Sequence, residues 1–199
     1  MEQQLLNLLS ARKGHFRLES GHHGGLWLDL DPLFVMPARI KPFVKALAER
    51  LNRHDIEAVC GPLVGGAFLA QAIASLLNVE FYYAQRFAPA MPDAGTLYPV
   101  DYRIPGGVGG MVRGKSVAVV DDAISAGSAV RGTLATLEAN GAKPVAVGAL
   151  LVLSDQASRF CRERVLALEH IAQLPYDVWL PAECPLCASG VLLEDMGAP

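Results

Sequence analysis

The chain has no unbroken apolar run near the roughly 20 residues that a membrane-spanning helix needs, because Gly, Asp, Arg or Pro interrupts every hydrophobic stretch. No membrane partner is therefore expected. Lysine and arginine form no run and the formal net charge is −3, so there is no electrostatic footprint for nucleic acid or an anionic lipid surface. The expected partners are small molecules or a second copy of the chain. Four cysteines, Cys60, Cys161, Cys184 and Cys187, are too few for a disulfide scaffold, and Cys60 falls in an apolar strand pattern where a reduced thiol packs well. The opening MEQQLLNLLSARKGHF has no basic segment ahead of a long apolar one, so it reads as an amphipathic helix and not as a signal peptide. A cytoplasmic location follows as the expectation.

What is present is the composition of a packed α/β enzyme: 199 residues, 52% hydrophobic and 19% charged, enough chain for one domain with a substantial core. Ile40, Phe43, Val44, Leu47 and Leu51 recur at three- and four-residue steps after Pro37, which marks one face of a helix over 37–53. EAVCGP then reads as a buried strand, GAFLAQAIASLLN as a helix and VEFYYAQR as a strand. The segment 87–114 holds four prolines and six glycines without either period and reads as a long loop, which in a compact domain is usually functional. KSVAVVDD returns as a strand, SAVRGTLATLEANGA as a helix with Gly141 at its C-terminal cap, and KPVAVGALLVL as a strand. This alternation predicts an α/β fold with a central, mostly parallel twisted sheet flanked by helices. Ligands bind such sheets outside the carboxyl ends of the strands, where Gly61, Arg86 and Asp121 fall.

The informative stretch is VAVVDDAISAGSAV, residues 117–130. Neighbouring residues on a strand point to opposite faces, so Asp121 and Asp122 can share a role only if the strand ends there and the chain turns. Ser125, Ala126, Gly127 and Ser128 follow just ahead of a helix, where free backbone N–H groups and the helix dipole favour an anion. Carboxylates beside a bare anion would repel it. They fit a ligand that also carries hydroxyl groups or a divalent cation, such as a sugar phosphate with a metal. The alternative reading is a rim turn with two solvated aspartates and a serine cap.

The run VVDDAISAGSA resembles the motif with which type I phosphoribosyltransferases bind 5-phosphoribosyl diphosphate (PRPP). The resemblance implies that Asp121 and Asp122 orient the ribose hydroxyls and hold Mg²⁺ indirectly, as catalytic residues, and that Ser125, Ala126, Gly127 and Ser128 bind the ribose phosphate. CGPLVGG, residues 60–66, resembles the family's diphosphate loop and implies diphosphate binding by Gly61, Pro62, Gly65 and Gly66, with Arg86 as the basic partner. GHFRLESGHHGGLWLDLDPLF, residues 14–34, is similar to the base-covering hood of the orotate branch: Ser20 and Gly21 match its Ser-Gly element, and Trp27 and Leu28 lie where the base packs. The resemblance thus implies one domain, with a hood in 1–36, an α/β core in 37–160 and an extension in 161–199. It further implies transfer of the phosphoribosyl group of PRPP to an orotate-like base with release of pyrophosphate, Mg²⁺ as cofactor, and a homodimer.

The departures are specific. The segment 87–114, where orotate enzymes carry lysines and a histidine, has only Arg103 and Arg113 as cations. Glu19 and His22 stand where that branch tends to carry a lysine and an arginine. Either the base differs, or Arg103 acts as the catalytic cation, or catalysis is lost and the chain is a PRPP- or nucleotide-binding regulator. GGVGG, residues 106–110, precedes a strand and is no dinucleotide fingerprint. Cys184 and Cys187 form a CPLC knuckle, yet a structural zinc needs four ligands and the other candidates are Cys161, His170 and distant Cys60, so a reduced C-terminal turn is the expectation. His15, His22 and His23 read as loop residues or base contacts, not as metal ligands.

Overall fold

The computed structural model describes residues 1–18, 20–87 and 100–195. Along the chain run α1 (Glu2–Leu6), β1 (Ser10–Arg17), β2 (His23–Asp29), α2 (Asp31–Val35), α3 (Pro37–Leu51), β3 (Ala58–Pro62), α4 (Gly65–Leu77) and β4 (Glu80–Phe87). Then come β5 (Asp101–Arg103), α5 (Gly106–Gly109), β6 (Ser116–Ile124), α6 (Ser128–Ala139), β7 (Lys143–Val152) and α7 (Asp155–Glu163). The chain closes with β8 (Ala167–Gln173), β9 (Val178–Trp179), α8 (Pro185–Ala188) and β10 (Glu194–Asp195).

The main sheet has the order β5-β4-β3-β6-β7-β8. Its strands pair in parallel from β4 to β8, and β5 alone is antiparallel, at the edge. In β6 the aliphatic run alternates between two cores: Ala118 and Val120 face the layer that holds α3 and α4, and Val117 and Val119 face the layer that holds α6 and α7. All four are fully buried. That is why the strand reads as continuous hydrophobicity instead of half-polar alternation. Helix α3 buries the predicted stripe of Ile40, Phe43, Val44, Leu47 and Leu51, each such side chain contributing about 1.5–3 kcal/mol.

The order of the sheet reverses between β3 and β6: β4 follows β3 on one side, and β6, β7 and β8 spread out on the other. A reversal of this kind leaves a crevice at the carboxyl ends of the strands, because the two connections leave in opposite directions. A second sheet, β10-β1-β2-β9, is built from the N-terminal segment and the C-terminal tail.

Three expectations need correction. The N-terminal helix stops at Leu6, and Ser10–Arg17 is a strand; its first four residues are exposed, so no apolar alternation marks it. Segment 87–114 is not loop throughout, since β5 and α5 lie within it, while 88–99 falls outside the described residues. The main sheet continues past residue 160, because α7 crosses that position and β8 pairs with β7.

Candidate active site

The β3–β6 ladder ends at Cys60 paired with Val119, whereas β6 stays paired with β7 through Ile124 and Val152. The strand therefore does not end at the acidic pair as expected; it runs three residues beyond Asp121. What ends is the partner on one side, and the turn from β3 into α4 occupies the place of a paired strand. Both carboxylates lie against that turn. A Cβ on Gly65 would fall 2.2 Å from Asp122 Oδ2, and one on Gly66 would fall 2.7 Å from Asp121 Oδ1. Only glycine leaves room for the two charges there.

The pair is internally organised. The Asp122 N–H donates to Asp121 Oδ1 at 3.1 Å and the Ala123 N–H to Asp122 Oδ1 at 2.8 Å. Burial, then the neighbouring Asp122 charge, holds the Asp121 carboxyl well above the usual carboxylate range. Asp122 keeps part of its surface open to the crevice, yet burial raises it too. Among the described residues neither carboxylate forms an ion pair. Two negative groups held out of water without a cation suit a ligand that brings one.

After Ile124 the chain enters residues 125–127, and Gly127 adopts φ 77°, a left-handed conformation that glycine takes without a side-chain penalty. That turn delivers Ser128 as the first residue of α6, whose N-terminus has no side-chain cap, so its first amides are available to an anion. Ser154 Oγ donates to the Ser125 carbonyl at 2.7 Å, fixing the loop from β7. At the other side of the crevice, a Cβ on Gly61 would lie 2.0 Å from the Gly66 carbonyl oxygen, so the strand-to-helix turn closes tightly on itself. The Leu63–Val64 peptide within it is cis.

Arg86 and Arg103 belong to the antiparallel β4–β5 pair, with Arg86 opposite Tyr102 and Gln85 opposite Arg103. The Arg103 guanidinium lies 4.3 Å from the centre of the Phe87 ring. Arg113 is remote from them: it packs against Gly141, beyond the amino end of β6. A single cavity of about 960 Å³ collects Asp121, Asp122, Arg86 and Arg103 with the loop 125–128, Pro62 and Gly65. Gly61 and Gly66 shape the turn beneath it. From the N-terminal segment, Trp27, Leu28 and Ser20 line the same cavity; His22 Nδ1 lies 3.2 Å from Ser20 Oγ. Glu19 lies outside the described residues.

Residues 38–167 match the family described as Phosphoribosyl transferase domain. The chain belongs to that family. This phosphoribosyltransferase, of type I, is 28% identical over 186 residues to the orotate phosphoribosyltransferase of Thermotoga maritima, covering 94% of this chain and 91% of that one. It is 27% identical over 201 residues to that of Thermoanaerobacter sp., covering 99% and 97%. In fold it is similar to adenine phosphoribosyltransferase from Thermoanaerobacter pseudethanolicus, with a TM-score of 0.67 at 13% identity over 87% of this chain and 100% of the other. Mycobacterium tuberculosis orotate phosphoribosyltransferase in complex with inorganic phosphate gives 0.63 at 16% identity over 87% and 95%.

The phosphoribosyltransferase crevice also contains residues that sequence reasoning missed. Tyr176, between β8 and β9, lines it; its hydroxyl lies 3.4 Å from Ser125 Oγ, and its ring edge packs where a Cβ on Gly24 would come within 3.0 Å. It thereby joins β2 of the second sheet to the loop 125–128. Tyr102 lines the crevice as well and fills the space over Gly132. Neither sits in a motif, and only the fold reveals them. The histidine expectation is corrected: His15 and His23 are buried strand residues, and with Cys184 and Cys187 they form one cluster. The companions suggested for the cysteine pair lie elsewhere. Cys60 is buried in β3, its thiol pushed up to about 12, Cys161 is buried in α7, and His170 is on β8.

Proposed function

We propose that this phosphoribosyltransferase joins the phosphoribosyl group of PRPP to a ring nitrogen of an orotate-like base and releases pyrophosphate. The observation that carries the reading is the pairing of Asp121 and Asp122 with the turn of Gly65 and Gly66 at the open edge of β6. It sets the two acids against the backbone of that turn beside one cavity, which supports a reading of the acids as ribose-binding and of the turn as diphosphate-binding. The likeness to orotate phosphoribosyltransferases over nearly the full chain supports the choice of base.

In this reading the amides and hydroxyls of Ser125, Ala126, Gly127 and Ser128 hold the 5-phosphate, and Asp121 and Asp122 accept hydrogen bonds from the ribose hydroxyls. Gly61, Pro62, Gly65 and Gly66 form the diphosphate turn, with Arg86 at its side. Trp27 covers the base, and Arg103 at the cavity wall balances negative charge on the base or the departing group. The reacting ribose carbon gains oxocarbenium character as the bond to pyrophosphate breaks, so charge stabilisation and exclusion of water govern the rate. The donor set fits Mg²⁺: two buried carboxylates, raised by burial and without a protein cation among the described residues, favour a hard divalent ion brought with the ligand. Asp121 and Asp122 would hold such an ion indirectly, through the ribose, and it would supply positive charge to the departing diphosphate.

We further propose a homodimer in the cytoplasm. Val35, Met36, Val64 and Phe68 are exposed on or beside α2 and α4, which touch through Phe34 and Phe68; exposed apolar groups on neighbouring elements favour a covered surface. Cys60, Cys161, Cys184 and Cys187 form no disulfide, in keeping with a reducing compartment. Among the described residues no helix is long and apolar enough to cross a membrane.

The test is pyrophosphate release from PRPP and Mg²⁺ with orotate, uracil, adenine and hypoxanthine in parallel, with light scattering for the dimer. Turnover with orotate above the other bases supports the assignment, and Arg103→Gln lowers it by roughly 10–150-fold if it loses one charge-assisted contact of about 1.5–3 kcal/mol. Turnover confined to a purine overturns the choice of base. PRPP binding without turnover on any base overturns the catalytic reading.

A further inference from the structure

Outside the crevice, four side chains from opposite ends of the chain converge on one point. His15 Nε2, His23 Nδ1, Cys184 Sγ and Cys187 Sγ all lie within 4.8 Å of one another. His15 Nε2 is 3.1 Å from His23 Nδ1, 3.3 Å from Cys184 Sγ and 3.7 Å from Cys187 Sγ, and Cys187 Sγ is 3.3 Å from His23 Nδ1. A tetrahedral zinc with Zn–S near 2.3 Å and Zn–N near 2.0–2.1 Å has ligand–ligand edges of roughly 3.3–3.8 Å. Three of the four distances fall in that range, and the His15–His23 distance of 3.1 Å lies just below it.

The backbone explains how the donors meet. β1 and β2 pair antiparallel, with a register shift between Lys13 and Phe16, and a bulge of this kind re-aims the side chain within it. His15 sits in that bulge and faces His23 across the hairpin. The Cys-Pro-Leu-Cys turn at α8 brings both sulfurs to one side.

Hydrogen bonding alone does not account for the cluster. His15 Nδ1 lies 2.8 Å from the Val191 carbonyl, which can only accept, so Nδ1 carries the proton and a neutral ring leaves one lone pair at Nε2. Three donor-capable atoms crowd that one lone pair. A proton-bearing nitrogen bonded to a backbone carbonyl is also how metal-bound imidazoles are oriented. The strand pairings that hold the tail are short, because β9 and β10 are two residues each, and the β10 ion pairs Arg12–Glu194 and Arg17–Asp195 are solvent-exposed and of small value.

We propose that His15, His23, Cys184 and Cys187 bind one structural zinc ion that staples the C-terminal tail to the hood. None of the four ligands lines the Asp121–Asp122 cavity, and four protein ligands leave no open position, so the ion takes no part in the transfer reaction. The inference is independent of the base the enzyme accepts.

The test is elemental analysis of the full chain, purified under reducing conditions from zinc-supplemented cells, followed by cobalt substitution. About one zinc per chain is expected, with thiolate-to-cobalt charge transfer and the intense visible bands of a tetrahedral site. Cys184→Ser and Cys187→Ser are expected to lose the metal, while Cys161→Ser keeps it. Stripping with a chelator lowers the wild-type melting temperature by about 5–10 °C, and zinc restores it. Wild-type protein that contains no zinc and gives no cobalt–thiolate band overturns the proposal, whether or not the variants fold. So does a Cys184–Cys187 disulfide as the stable form after mild reduction.

Discussion

Gly65 and Asp122 meet across the open edge of the main sheet, at a distance that leaves no space for a methyl group: a Cβ on the glycine would stand 2.2 Å from the carboxylate oxygen. The obstructing atom is the end of a side chain, so it can move. Gly65→Ala is therefore expected to fold, with stability within about 1 kcal/mol of wild type, while Asp122 swings out of position. PRPP affinity should fall by roughly 10-fold or more, the loss of one charge-assisted hydrogen bond. Calorimetric titration with PRPP and Mg²⁺, beside a thermal melt, separates the two effects; equal affinity would mean that the position of Asp122 is immaterial.

Gly61 is the contrasting case. Its missing Cβ would lie 2.0 Å from the Gly66 carbonyl oxygen, which belongs to backbone and cannot rotate away. Gly61→Ala is expected to cost about 1–3 kcal/mol or more, a fall of about 2–4 °C in melting temperature per kcal/mol. Differential scanning calorimetry checks this, and a melting temperature unchanged from wild type would show that the turn can open without penalty.

The acidic pair also sets a pH dependence. Both folded-state carboxyls are raised, chiefly by burial, above the unfolded value of about 3.9. Their contribution to stability is thus fully present below that value and is lost as pH rises through the folded-state values. Without PRPP and Mg²⁺, Asp121→Asn should be the more stable protein at neutral pH, by roughly 1 kcal/mol or about 2–4 °C, with the difference vanishing toward pH 4. Melts of both proteins in chelator across pH 4–8 measure it. A variant less stable than wild type at neutral pH would contradict the sign.

These residues differ in how far the sequence disclosed them. Val117 to Val120 announced a strand buried on both faces, and Asp121, Asp122 and the loop to Ser128 announced a ligand, because strand, acids and small residues follow each other without a gap. The reason the acids share one place was not legible: it depends on β3 ending while β7 continues, a property of pairing between strands. Tyr176 was hidden for the same reason. His15 and Cys184 stand 169 residues apart in sequence, and they meet only because the hood sheet takes strands from both ends of the chain. The strand Ser10–Arg17 is exposed over its first four residues and carries no apolar alternation, so the leucines before it suggest a longer helix than forms.

The central claim is that Asp121 and Asp122 grip the ribose and its cation, and titration of PRPP in Mg²⁺ into wild type and the Asp121→Asn/Asp122→Asn double variant tests it most directly. The sign of the change discriminates, because removing negative charge from a site for a bare anion would strengthen binding. The account predicts affinity at least about 100-fold weaker in the double variant, the loss of two contacts of about 1.5–3 kcal/mol each. Affinity that is unchanged or improved, in a variant that melts no lower than wild type, would contradict it.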